Sequence, residues 1–178
     1  MIQVVGLLLS GAAAAGIMLA DSVLAILGCW ALGAAVGAGL SAFGRGEVAA
    51  QAARQGFMVE ILGAWSLALG SLGVVLAMGT GSLALHGPRL LLLDLGRHAL
   101  PWAGAAVLLA VLCRLGLPPL PPWPARVASA PPAVRLFLHA GLHPLTALVL
   151  WRRLDIWLLP WHRDAALWLG AIGALVLA

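Results

Sequence analysis

The chain has 178 residues, 63% of them hydrophobic and 9% charged, with a formal net charge of +4. A soluble domain carries about 25% charged residues, so this composition and a mean hydropathy of +1.06 exclude a water-soluble globule and make the lipid bilayer the solvent for most of the chain. The positive charge is spread thinly between apolar runs, which suits lipid headgroups and excludes the clustered basic face of a nucleic-acid binder.

A helix needs about 20 apolar residues to cross a bilayer, and six such segments can be read along the chain. The first spans 2–20 and stops at Asp21. Met1-Ile2-Gln3 offers no positive region ahead of it, so it is expected to be a mature helix rather than a cleaved signal. The second, 23–43, carries Gly33-x-x-x-Gly37, a spacing that lets backbones approach closely and predicts a helix packed inside a bundle. A polar stretch from Gly44 to Gly56 separates it from the third helix, 57–78, which holds Glu60. Residues 79–98 read as loop, with a short apolar patch at 90–93 suited to the interface. The fourth helix, 100–117, ends on Arg114.

A proline-dense break follows, Pro118-Pro119-Leu120-Pro121-Pro122-Trp123-Pro124, through which no regular helix can continue. The fifth helix starts at Pro131-Pro132, where proline fits a first turn, and runs over 131–151 to Arg152, Arg153 and Asp155. Trp157 and Trp161 read as an interfacial aromatic belt, and a sixth helix covers 165–178. The predicted fold is all-α: one transmembrane domain over 1–178, a polytopic bundle of about six helices with no strands and no internal repeat.

Charges inside the hydrocarbon region cost about 2.5–3.5 kcal/mol each on insertion scales, so each one needs a reason. Glu60, three residues into the predicted third helix, reads either as a carboxylate at headgroup level or as a proton-binding group facing the interior. Arg114 reads either as snorkelling to the interface or as an interior charge. Arg135, His139 and His143 recur at intervals of four and so share one face of an α-helix. A polar stripe on an apolar helix predicts that this face looks into protein or a water-filled cavity. Histidine titrates near neutrality, which suits a proton relay, and Pro144 is expected to bend the helix there.

Cys29 and Cys113 lie in separate apolar runs without CxxC spacing and read as small buried hydrophobes. A histidine pair four apart needs a third ligand to hold a metal, and none is near in sequence. The chain has no GxSxG, HExxH, P-loop or dinucleotide fingerprint. No catalytic residues, cofactor or metal are therefore expected. All ten basic residues are arginine, so no lysine is available as a titratable group.

The stretch from Arg114 to Ala140 resembles the antiporter-like membrane subunits of respiratory complex I and the related Mrp-type cation/proton antiporters. Their segment reads G-K-S-A-Q-x-P-L-x-x-W-L-P-x-A-M-x-x-P-T-P-V-S-A-L-I-H-A. Aligned without gaps, Arg114 falls on its lysine, Pro119-Leu120 on P-L, Trp123 on the tryptophan, Pro131 on the first proline of P-T-P, Val134 on the valine and His139-Ala140 on H-A. Leu19-Ala20-Asp21-Ser22 and Leu27-Gly28-Cys29-Trp30 are similar to the family's L-A-D-N and L-G-W-E, and 55–63 loosely to its K-A-F-V-V-x-R-V-G-D. The resemblance implies that the chain covers the family's central helices.

In that family a discontinuous helix around the lysine, with a glutamate one or two helices earlier, forms a proton half-channel. Here the glutamate position is Trp30 or Ala31, and the lysine is Arg114, which does not release its proton in a protein. The resemblance therefore implies a divergent, shortened subunit with proton-path candidates Glu60, Arg114, Arg135, His139 and His143. It would pack beside other membrane subunits of an NADH-quinone-oxidoreductase-like, hydrogenase-like or carbon-uptake complex in a bacterial inner membrane, whose redox chemistry lies elsewhere. Two other classes stay open: a stand-alone small ion or proton transporter or channel, and a non-conducting scaffold subunit.

Overall fold

The computed structural model describes residues 2–44, 47–78, 101–116 and 130–154, with 164, 167 and 168, and at 139–140 the backbone alone. Among the described residues the chain is all-helical with five helices: α1 (Ile2–Leu19), α2 (Val23–Ala42), α3 (Glu47–Met78), α4 (Pro101–Leu115) and α5 (Pro132–Leu154). Four of them, α1, α2, α3 and α5, are long and apolar enough to cross a membrane, and α4 is a shorter apolar helix. The loop at 79–98, the proline break at 118–124, Trp157 and Trp161 lie outside the described residues. So does most of the expected sixth helix, 165–178.

The third helix is longer than its sequence suggests. It runs for 32 residues, about 48 Å at 1.5 Å per residue, and takes in most of the polar stretch read as a connection. Polarity was the misleading signal: Glu, Gln, Arg and Ala are all good helix formers, and no proline or glycine interrupts 47–55. Glu47, Gln51 and Arg54 fall at the i, i+4, i+7 positions of an exposed face, while Ala49, Ala52 and Ala53 are buried on the other side. Glu60 consequently stands thirteen residues past the helix start rather than three, about 20 Å along the axis.

Side-chain neighbours fix the order of the bundle. Gly6 lies against Leu40 and Gly16 against Cys29, so α1 and α2 are antiparallel. Gly63 of α3 faces Trp30 of α2 and Cys113 of α4, while Gly70 faces Val107 and Ala103 of α4, making α3 antiparallel to both. A Cβ on Gly63 would come within 2.9 Å of both Trp30 and Cys113, so the lack of a side chain is what lets three helices meet there. Gly11 touches Phe137, and Arg153 reaches the end of α1, so α5 runs parallel to α1. Gly33 and Gly37 are both buried and look toward Arg114 and Leu138, so this side of α2 faces the bundle interior.

Two helix ends position the interior charges. The α2 start is capped by Ser22, whose hydroxyl accepts from the Ala25 N–H at 3.2 Å. At the other extreme, α4 stops after 15 residues with Gly116 in the left-handed region, φ 67°, the glycine termination expected at a helix C-terminus. Because its last turn faces Gly63 and its first faces Gly73, α4 covers one half of the bundle and ends at mid-height. Its last-turn Arg114 opposes the negative end of the helix dipole.

Helix α5 is not uniform. Pro132–Val134 is α-helical, Arg135–Leu142 is π-helical, and His143–Leu154 returns to α. The His143 N–H donates five residues back, to the Leu138 carbonyl. Pro144 has no N–H and its ring crowds the preceding turn; the wider π turns before it accommodate that. Pro144 thus directly follows the π segment, a form that recurs at functional sites.

Candidate functional site

The site is assembled where α4 ends. Arg114 turns inward, 3% exposed, and its Nη1 donates to Glu60 Oε2 at 2.5 Å. Its Nε donates to Thr146 Oγ1 at 3.1 Å, and its guanidinium lies 5.1 Å from the centroid of the Trp30 ring, within cation–π range. Glu60, also 3% exposed, presents its other oxygen, Oε1, to His143 Nδ1 at 3.5 Å. Thr146 completes the network by placing its hydroxyl 2.8 Å from the Leu142 carbonyl and 3.0 Å from that of His143. Four helices contribute: Trp30 from α2, Glu60 from α3, Arg114 from α4, and His143 and Thr146 from α5.

Both charges face the interior of the bundle. Glu60 is buried beside Gly33 and Gly37, near the middle of α2. Arg114 is turned inward to Glu60 and Thr146 rather than outward. Two opposite charges that each cost several kcal/mol to desolvate recover that cost only by pairing. The neutral guanidinium–carboxylate pair is the physical outcome.

The expected stripe on the fifth helix divides. His143 is buried in the site, whereas Arg135 is exposed near the start of α5. The two lie eight residues apart, at either end of the π-helical segment, and the offset of about 40° between residues four apart in an α-helix accumulates over two such steps. The side chain of His139 lies outside the described residues. Thr146 was missed in the sequence, although its position three residues after His143 puts both on one α-helical face. Trp30, read only as the place of a lost carboxylate, covers the Arg114 guanidinium.

A cavity of about 20 Å³, room for one or two waters, adjoins Glu60 and His143. Its remaining walls come from α2 and α3, mostly small residues such as Gly33, Gly37, Ser41, Ala52 and Gly56, with Phe57 the one large side chain. Chemically the ensemble holds one fixed positive charge, one carboxylate and one imidazole. Arginine stays protonated, so proton exchange falls to His143 and Glu60, and histidine is the one of the two whose ordinary titration lies near neutrality. Among the described residues no three His, Cys, Asp or Glu side chains converge as a metal site.

No protein-family model and no curated protein matches this chain.

Proposed function

We propose that this chain is a divergent membrane subunit of the antiporter-like type, corresponding to the central helices of the proton-translocating subunits of complex I and Mrp-type antiporters. It works in a larger complex of a bacterial inner membrane, packing against neighbouring subunits and passing protons through His143 and Glu60 beside the fixed charge of Arg114. The observation that carries this reading is the meeting of Glu60, Arg114 and His143 at mid-height, at the point where α4 breaks off. A buried ionisable cluster inside a membrane bundle is retained at a cost that function repays. The carboxylate sits one helix before the arginine. Trp30 or Ala31 would stand where the family has its glutamate.

The test has two stages. The tagged chain, extracted in mild detergent, is expected to bring quinone-oxidoreductase-like or hydrogenase-like membrane subunits with it; a chain that emerges alone would turn the reading toward a stand-alone transporter. Vesicles holding the intact assembly should then lose most proton flux on His143→Leu. A scaffold role is favoured by one specific feature, the tight Arg114–Glu60 pair, since an arginine locked to a carboxylate cannot release a proton. Under that role His143→Leu would leave both flux and assembly unchanged.

A further inference from the structure

We infer that the groove between the first turns of α1 and the last turns of α2 holds one acyl chain of an anionic phospholipid, with the phosphate at the end of the bundle where α2 stops. The antiparallel register that seats Gly16 against Cys29 also sets Ile2 level with Phe43, Gly6 with Gly39 and Leu9 with Val36. A glycine from each helix at one level leaves a trough of about 320 Å³, walled by these residues with Val5 and Leu40. A Cβ on Gly6 would come within 2.6 Å of Leu40 Cδ2, so the bare glycine lets Leu40 lie across the floor. A Cβ on Gly39 would meet nothing within 4 Å. Every wall is an apolar side chain or glycine backbone.

The dimensions decide between occupants. From Ile2 to Leu9 the trough runs about 10 Å along the helix axis. Its volume of about 320 Å³ then gives a cross-section of about 30 Å². A helix 10–12 Å across fills roughly 80–110 Å², so a single hydrocarbon chain fits inside and a helix does not. Lipid tails are as apolar as leucine, and no hydrophobic gain draws a chain here. It is held instead by the contacts that an unfilled trough forfeits and by its headgroup.

The mouth lies at headgroup level. Helix α1 begins at Ile2 and α2 is capped by Phe43, and at the same end the first turns of α3 expose Glu47, Gln51 and Arg54. Arg45 follows Phe43 by two residues in the sequence, no more than about 7 Å of chain. A guanidinium pairs with phosphate through two parallel hydrogen bonds, and a basic residue beside a membrane span attracts anionic lipid. One phosphatidylglycerol-type molecule thus meets both features, its chain in the trough and its charge toward Arg45.

The inference holds whether or not the bundle conducts protons. The full chain is reconstituted in phosphatidylethanolamine and phosphatidylglycerol vesicles with a trace of phosphatidylglycerol carrying a photoactivatable diazirine in one acyl chain. Labelled residues are then located by mass spectrometry. Labelling at Val5, Leu9 and Val36 is expected to exceed that at Leu69 and Leu72, exposed residues of α3, by roughly tenfold. Gly39→Leu sends a side chain into the trough and should bring the excess down to the α3 level. Gly28→Leu, equally open but outside the trough, should leave it intact. The excess should fall several-fold with Arg45→Gln, and likewise with a phosphatidylcholine probe of the same chain. Labelling that is even over α1 and α3, or indifferent to Gly39→Leu, means bulk lipid alone and overturns the proposal. An excess untouched by either headgroup change overturns the anionic lipid. Crosslinking of a photoreactive residue at Val5 to a second polypeptide in native membranes would hand the groove to a partner's side chains and sink the idea outright.

Discussion

Arg114 and Arg153 each leave their own helix to bond another, under different constraints. Arg153, with a side chain 20% exposed, closes the end of α1: its Nη1 donates to the Met18 and Ile17 carbonyls at 2.8 and 3.3 Å, and its Nη2 to Ala20 at 2.5 Å. These are terminal carbonyls with no partner in their own helix, and their summed dipole attracts a cation. Asp21 stands 3.6 Å away but is 80% exposed, so it adds little. At the bundle's end partial charges and nearby water suffice. Arg114, at mid-height, needs a full carboxylate, a hydroxyl and an aromatic face. Depth decides how much partnership the same side chain requires.

The sharpest way to break that contrast is to remove one charge. Glu60→Gln leaves the Arg114 guanidinium buried without a counter-charge and should destabilise the protein by about 3–5 kcal/mol, read from denaturant unfolding in detergent by circular dichroism. Replacing both members, Glu60→Leu with Arg114→Met, should restore stability to within about 1 kcal/mol of the parent or raise it. If the single substitution were as mild as a surface change, Arg114 would have another neutralising group and the mid-height pair would not be obligatory.

Legibility in the sequence divides along the same line. The all-helical bundle, the spans of α1 and α2 and the suspicion attached to Glu60, Arg114 and His143 are legible because hydrophobicity and isolated charge are local signals. The start of α3 is not, because Glu47, Gln51 and Arg54 obey helical periodicity on an exposed face while looking, residue by residue, like a loop. The pairing of Glu60 with Arg114 needs the antiparallel register of α3 and α4, which Gly63 sets through contacts no window of sequence contains. The different burial of Arg135 and His143 is not legible either, because a spacing of four says nothing of which end of the helix its neighbours cover.

Smaller changes refine the comparison. Thr146→Val keeps the volume but takes away the oxygen that accepts from Arg114 Nε, leaving a buried donor unmet; the expected loss is about 1–3 kcal/mol in the same unfolding assay. Arg153→Ala should cost about 1 kcal/mol, because water at the bundle's end can serve the exposed carbonyls of α1, and the effect should shrink as salt is raised. A loss for Arg153→Ala equal to that for Glu60→Gln would mean that the end of α1 is as dry as the bundle's centre.

Arg135→Gln is the smallest effect expected, within about 0.5 kcal/mol in stability and with no change in proton flux. Arg135 is exposed near the start of α5, eight residues before the buried His143. Were Arg135 turned to the interior as His143 is, loss of its positive charge would alter the field at Glu60. Flux that responded to Arg135→Gln as it does to His143→Leu would mean that the stripe read from the sequence acts as a unit despite the π turns. Silence at Arg135 beside loss at His143 would locate the functional edge of α5 at the return from π to α geometry, one residue before Pro144.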